Sequence, residues 1–347
     1  MYIKKILLAI VLIGLAVAAF FAYYVYSTMF SPNTAFNNDT AYVYVKSTDT
    51  YNDVREQLMP LLKDIDKFDA LAEQKKYVSN IKAGRYAIEK DMSNNDIINS
   101  IRSNNLPIKV SFNNQETLEK LAGRVASQIE ADSISLLNAM KNKNFLNENN
   151  FKEETALGMY IPNSYEFFWN TSAEKFTNRM LKEYNRFWND SRKAKAKVIN
   201  LSEDEVIALA SIVQKETAKV DERPRVAGVY VNRLKKRMPL QADPTVIYAL
   251  KKKTGDFEQV IKRVLYKDLE IDSPYNTYKY AGLPPGLIAM PDVSSIDAVL
   301  NYEKHNYYYF VVNVENFGYH KFAKTLAQHN RNKQEYIRWI NNKGIRR

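Results

Sequence analysis

Cysteine is missing from all 347 residues, which excludes disulfide staples, thiol nucleophiles and cysteine-ligated zinc and leaves stability to hydrophobic packing. Histidine is nearly missing: His305, His320 and His329 are the 3 in the chain. Their spacing, with no carboxylate-rich segment beside them, matches no metal-ligand pattern, so neither metal nor cofactor is expected. No internal repeat is found. Acidic residues are outnumbered, 39 against 50 Lys and Arg, for a formal charge of +11. That balance favours an anionic partner, a polymer or lipid headgroups, or else is solvated surface charge.

Charge is also absent from Ile6 to Tyr26, directly after Lys4 and Lys5. The run is about 21 residues long, enough to cross a bilayer once. It lacks a small-residue cleavage site and closes on Tyr23, Tyr24 and Tyr26, so an uncleaved anchor is expected. With no charge after the run until Asp39, residues 1–5 should stay in the cytoplasm, 6–26 should span, and the rest should be exported. Export argues against a nucleic-acid partner despite the basic balance. Residues 27–40 are polar and aperiodic and are expected as a stalk.

The exported part, about 320 residues, suffices for at least two cores. Ala41–Val45 is β-branched and aromatic, a strand signal, and Thr50–Leu62 carries apolar residues at helical spacing. A second helix over 65–78, a strand over 84–88 and a helix capped by Ser93 complete a small α/β module, 41–105, resembling LysM. Residues 106–198 read as a mostly helical connecting region, with a lead-in strand at Val110–Phe112 and a helix at Ser133–Met140. Its unusual stretch is the aromatic cluster from Leu157 to Trp169, which reads as core or as a stacking surface for sugar rings.

The chemistry concentrates in 199–347. Ser202 and Glu205 form a capping box that opens a helix running to Glu216. Glu216 follows Leu209 and Val213 on one apolar face. Burial there would raise its pKa and keep the acid protonated near neutral pH, as a general acid requires; pairing with Lys215, Lys219 or Arg223 is the plainer alternative. Pro224 suits the first turn of a second helix, and Asp243-Pro244 reads as an N-cap and first turn. Gln241, just outside that helix, has an amide suited to sugar hydroxyls. Ser273–Tyr278 and Gly282–Ile288 form a loop pair that could wall a cleft. Ser294–Leu300 reads as a serine-capped helix, Tyr307–Val314 and Tyr319–Phe322 as paired strands, and helix resumes near Thr325.

Five segments fall in an order that resembles the YceG-like family of endolytic murein transglycosylases: Ala210–Thr217, Val231–Leu234, Leu240–Tyr248, Ser273–Tyr278 and Gly282–Gly286. Gln214 stands where that family would have Glu, and Leu157 with Asn163-Ser164 replaces a Glu-Gly and Asp-Thr pattern. The resemblance implies that Glu216 protonates the glycosidic oxygen and then takes the proton of the muramic 6-hydroxyl. The β-1,4 bond from N-acetylmuramic acid to N-acetylglucosamine is cut in nascent strands to leave 1,6-anhydro ends, terminating elongation. One carboxyl then serves where hydrolases need two. Substrate contacts are expected from Gln241, Asp243, Thr245, Tyr248, Ser273, Tyr275, Asn276, Thr277, Tyr278, Leu283 and Pro284. The expected fold is α+β: transmembrane helix, LysM-like module, then a mixed helical and β catalytic domain. Expected partners are glycan strands, the bacterial inner membrane, and the synthases and division proteins of wall assembly. A muramidase using Asp243 or Glu222, and a wall-binding scaffold, are the competing readings.

Overall fold

The structure, a computed structural model, describes residues 2–342 and divides into two compact units. The first holds Met1–Val110 with Gln128–Ala131 and Tyr165–Ser172. Helix α1 (Tyr2–Phe30) is long and apolar enough to cross a membrane, and none of its most apolar window is buried. It continues past the expected span, and its last turn docks: Thr28 is buried, and Asn94 Nδ2 donates to the Thr28 carbonyl at 2.8 Å. Strand β1 (Thr40–Val45), α2 (Tyr51–Leu58), α3 (Ile65–Gln74), β2 (Gly84–Glu89) and α4 (Asn94–Ser103) follow in the expected order. The two strands are antiparallel, with Val43 opposite Tyr86. Val43, Val45, Leu58, Phe68, Leu71, Ile88 and Ile97 fill the core, closed by Met29 of α1. Helix α3 stops short of its expected end because Lys76 turns the chain with φ of 57°.

The expected stalk is corrected. Residues 27–40 are built into this unit, since Asn33 donates to the Asp64 carbonyl at 2.8 Å and to Asn94 Oδ1 at 2.7 Å, and Asn33 and Thr34 are buried. Polar composition misled because these side chains replace backbone partners instead of facing water. Residues 106–198 do not stand apart as a connecting region either. Strand β3 (Pro107–Phe112) pairs with β4 (Asn163–Phe168), and the division between units falls within both. Strand β4 carries most of the aromatic cluster: Tyr165 and Phe167 are buried while Phe168 is 50% exposed, the alternation of a half-buried strand.

The second unit comprises α5 (Leu118–Ala126), α6 (Ser133–Met140), α7 (Lys143–Glu148), α8 (Ala173–Phe187), α9 (Asp190–Val198), α10 (Glu203–Glu216), α11 (Arg223–Lys235), α12 (Asp243–Thr254), α13 (Val293–Leu300), the antiparallel pair β5 (Tyr309–Val312) and β6 (His320–Ala323), and α14 (Leu326–Asn342). Helix α10 is its axis. The capping box forms, with Glu205 N donating to Ser202 Oγ at 3.2 Å and Ser202 N to Glu205 at 2.7 Å. Every residue from Val206 to Val213 is buried against α9, α11, α12 and α13. A helix apolar all round belongs inside, so its end is delivered to the interior. Two caps differ from expectation. Asp292, not a serine, takes the cap position of α13 without a side-chain capping hydrogen bond, and Ala242 takes that of α12, leaving Asp243 as its first residue. Gln214 Oε1 accepts from the Asp292 amide and from Ser295 Oγ, so the amide at this position serves the start of α13.

Candidate active site

Glu216 is the last residue of α10, and Thr217 leaves the helix in extended conformation. The side chain is half-buried at the base of a cleft of about 420 Å³, lined also by Tyr230, Arg233, Gln241, Asp243, Tyr278 and His329. Burial raises its pKa to about 7, and the negative charge of Asp243 pushes the same way. A hydrogen bond from Tyr230 and the positive charges of His320 and Arg233 oppose the rise without cancelling it. A carboxyl at the C-terminal end of a helix is also disfavoured as an anion. Tyr230 Oη donates to Glu216 Oε1 at 2.8 Å. Buried on α11, Tyr230 is held far above its ordinary pKa by burial and then by the neighbouring carboxylate, so it remains a donor.

Arg233, also on α11, is buried without a salt bridge among the described residues. Its Nε donates to the Tyr308 carbonyl at 2.6 Å and its Nη1 to the carbonyls of Leu240 at 2.7 Å and Pro239 at 3.2 Å. It thereby fastens the Pro239–Ala242 turn to the chain entering β5. In that turn Gln241 holds φ of 49°, a sparsely populated conformation for a side-chain-bearing residue. The turn is held from the other side by Thr277, whose carbonyl accepts from Gln241 N at 3.1 Å and whose Oγ1 accepts from Ala242 N at 3.0 Å. Thr245 Oγ1 lies 2.9 Å from Thr277 Oγ1.

The expected substrate contacts therefore separate. Gln241, Asp243 and Tyr278 line the cleft with Glu216, and the Tyr278 hydroxyl donates to Asp243 at 2.5 Å. Thr245, Tyr275, Asn276 and Thr277 are buried, and Asn276 Nδ2 donates to the carbonyls of Leu269 and Ile271 at 2.7 and 2.9 Å. Ser273 Oγ accepts from Tyr275 N at 3.3 Å within its own turn. Tyr248 packs on Tyr275 at 4.7 Å and faces a different hollow with Glu116 and Lys251. Leu283 and Pro284 are not among the residues lining the cleft; their segment is shaped by Gly286, where a Cβ would meet the Glu154 carbonyl oxygen at 2.1 Å. A larger hollow, about 840 Å³, lies among α8, α9 and the start of α10 and contains none of these residues.

Glu222, read in the sequence as a muramidase candidate, and His320 and His329, read there only as too sparse to hold a metal, complete the site. Glu222 is buried and accepts from Thr217 Oγ1 at 2.9 Å and from His320 N at 2.6 Å, with His320 Nδ1 at 2.8 Å. Burial alone would raise Glu222, but these hydrogen bonds outweigh it and hold the carboxyl below its ordinary range. Glu222 thus stays ionised, fixing the residue after Glu216 to β6. His329 lines the cleft, its ring stacked on Tyr309 at 5.3 Å, and burial lowers its pKa, assisted by Lys333 and Arg233. A neutral imidazole, a tyrosine donor and a carboxyl about half protonated at neutral pH can donate and accept protons around a neutral polar ligand.

The sequence model described as the YceG-like family matches residues 43–335. A Bacillus subtilis protein named endolytic murein transglycosylase is 33% identical over 285 residues, covering 77% of this chain and 76% of its own. A Streptococcus pneumoniae protein of the same name is 29% identical over 301 residues, covering 78% of this chain, which spans only 53% of that longer relative. A crystal structure of a YceG-like protein from Listeria monocytogenes is 28% identical, with a TM-score of 0.57 over 85% of this chain and 99% of the other.

Proposed function

The chain belongs to the YceG-like family, and from that premise we propose that it is an endolytic murein transglycosylase, a lyase of peptidoglycan glycan strands with Glu216 as its acid and then its base. The observation that carries this reading is a carboxyl with a pKa near 7, held by one tyrosine donor at the base of a polar cleft. With Oε1 accepting from Tyr230, Oε2 is the oxygen available to deliver the proton. It protonates the glycosidic oxygen, the bond from muramic C1 breaks, and the positive charge develops on the ring. The carboxylate left behind, stabilised by Tyr230, then takes the proton of the 6-hydroxyl, whose oxygen closes on C1. The proton count balances without water, and Glu216 ends protonated as it began. The bond cut is the β-1,4 link from N-acetylmuramic acid to N-acetylglucosamine.

Helix α1 would hold this chemistry at the outer face of the bacterial cytoplasmic membrane, with Lys4 and Lys5 inside. Nascent strands are within reach there, and cutting them would terminate elongation. A hydrolase reading has one supporting observation, the second carboxylate of Asp243 in the same cleft. Product analysis separates the two. Purified strands incubated with the wild type should yield anhydro-ended fragments, and Glu216→Gln should lower the rate at least about 100-fold. Reducing ends would replace the lyase by the hydrolase, and uncut strands would replace both by a scaffold.

A further inference from the structure

The cleft that holds Glu216 does not end at Asp243. A second hollow of about 560 Å³ adjoins it, and Asp243, Tyr278 and Lys333 line both. The hydroxyl-to-carboxylate contact of Tyr278 with Asp243 is the sill between them. Both volumes fall in the range of ligand sites.

The second hollow is basic. Lys262, Arg263 and Lys333 line it, all exposed, and among the described residues none of the three forms an ion pair. Several other cations of this unit are paired, Lys215 and Lys251 with Glu116 at 2.7 and 2.8 Å, Arg225 with Glu303 at 2.9 Å, and Lys321 with Glu335 at 2.9 Å; what sets Lys262, Arg263 and Lys333 apart is that they line one hollow. The one carboxylate lining the hollow among the described residues, Asp243, already accepts from Tyr278. Unpaired cations on one concave surface repel each other and raise the local concentration of anions. The Tyr266 ring, 82% exposed, adds a face on which a sugar ring can lie.

We propose that this second hollow is a subsite for a carboxylate carried by the glycan strand close to the bond that is cut. The inference rests on the glycan reading of the Glu216 cleft. A muramic residue carries a lactyl group, whose carboxyl is either free or amide-linked to a short peptide with carboxylates of its own. Both sources present the same chemistry to Arg263, whose planar fork matches a carboxylate, and to the two lysines. Contact with the strand on one side of the sill would set which glycosidic bond lies over Glu216.

The test is binding to the full chain in detergent with Glu216→Gln, so that strands are held without being cut. End-labelled strands, peptide-bearing and peptide-free, are compared with the same strands after their carboxyls are converted to amides. At low salt the conversion is expected to weaken binding about five- to tenfold. Adding Lys262→Gln and Arg263→Gln, both on exposed side chains, should abolish that difference. An effect on peptide-free strands assigns the lactyl carboxylate, and an effect confined to peptide-bearing strands assigns the peptide. Equal affinity for native and converted strands, or a difference that survives the two substitutions, overturns the subsite and leaves the glycan reading standing. Failure to bind any strand overturns the glycan reading, and the subsite with it.

Discussion

The reactivity of one residue here is a product of its surroundings. Glu216 would be ionised at neutral pH in water, but the end of a buried helix brings its pKa to about 7. The protonated form is the one that can donate a proton to the glycosidic oxygen, so kcat/KM on soluble strands should be level in mild acid and fall as pH rises through about 7. A carboxyl at its ordinary value would lose activity about two and a half pH units lower. Tyr230 favours the ionised form through its hydrogen bond at 2.8 Å. In Tyr230→Phe the falling limb should therefore move to higher pH, while kcat drops about 10- to 100-fold because the carboxylate loses its donor in the second step. A limb that stays where the wild type has it would mean that Tyr230 does not govern the titration.

At the scale of elements, the cleft depends on how α11, the Pro239–Ala242 turn and β5 are tied together, and Arg233 is the tie. Replacing it by Met keeps the bulk but leaves three inward carbonyls without a donor. A loss of roughly 2–4 kcal/mol is expected, together with most of the activity. Arg233→Lys should recover only part, since a point charge cannot span carbonyls on two segments. A thermal melt unchanged in Arg233→Met would show that the turn holds itself. These ties explain what was legible in the sequence. The capping box of α10, the β5–β6 pair and the half-buried acid could be read because each follows from spacing within about a dozen residues. The roles of Tyr230 and Arg233 could not, since spacing makes Tyr230 one more core position of α11 and gives Arg233, within Val231–Leu234, no stated part. Only the packing of α10 on α11 turns them toward Glu216. The buried polar cluster of Thr245, Asn276 and Thr277 was unreadable for the same reason: polar loop residues look alike whether they meet a ligand or a carbonyl.

At the scale of the whole molecule, two units with separate cores set what can be removed. Composition placed a stalk over 27–40, and a soluble fragment beginning at Ala41 would follow from it. The structure argues for an earlier cut. Asp64 N donates to Asn33 Oδ1 at 2.9 Å and Asp91 N donates to Thr34 Oγ1 at 2.8 Å, while Met29 covers the core of the first unit. A fragment starting at Ser27 keeps these contacts and loses only the membrane-crossing part of α1. It should stay folded and cut soluble strands at the rate of the full chain in detergent, though without a hold on the membrane. Starting at Ala41 instead leaves Asp64 N, Asp91 N and the Asn94 side chain without partners, costing the first unit roughly 2–4 kcal/mol. Amide hydrogen exchange on both fragments reads this directly. Protection should fall in β1, β2 and α4 of the shorter one and stay level in α10 and α11, whose core is their own. Equal protection of β1 and β2 in both fragments would return 27–40 to the status of a stalk.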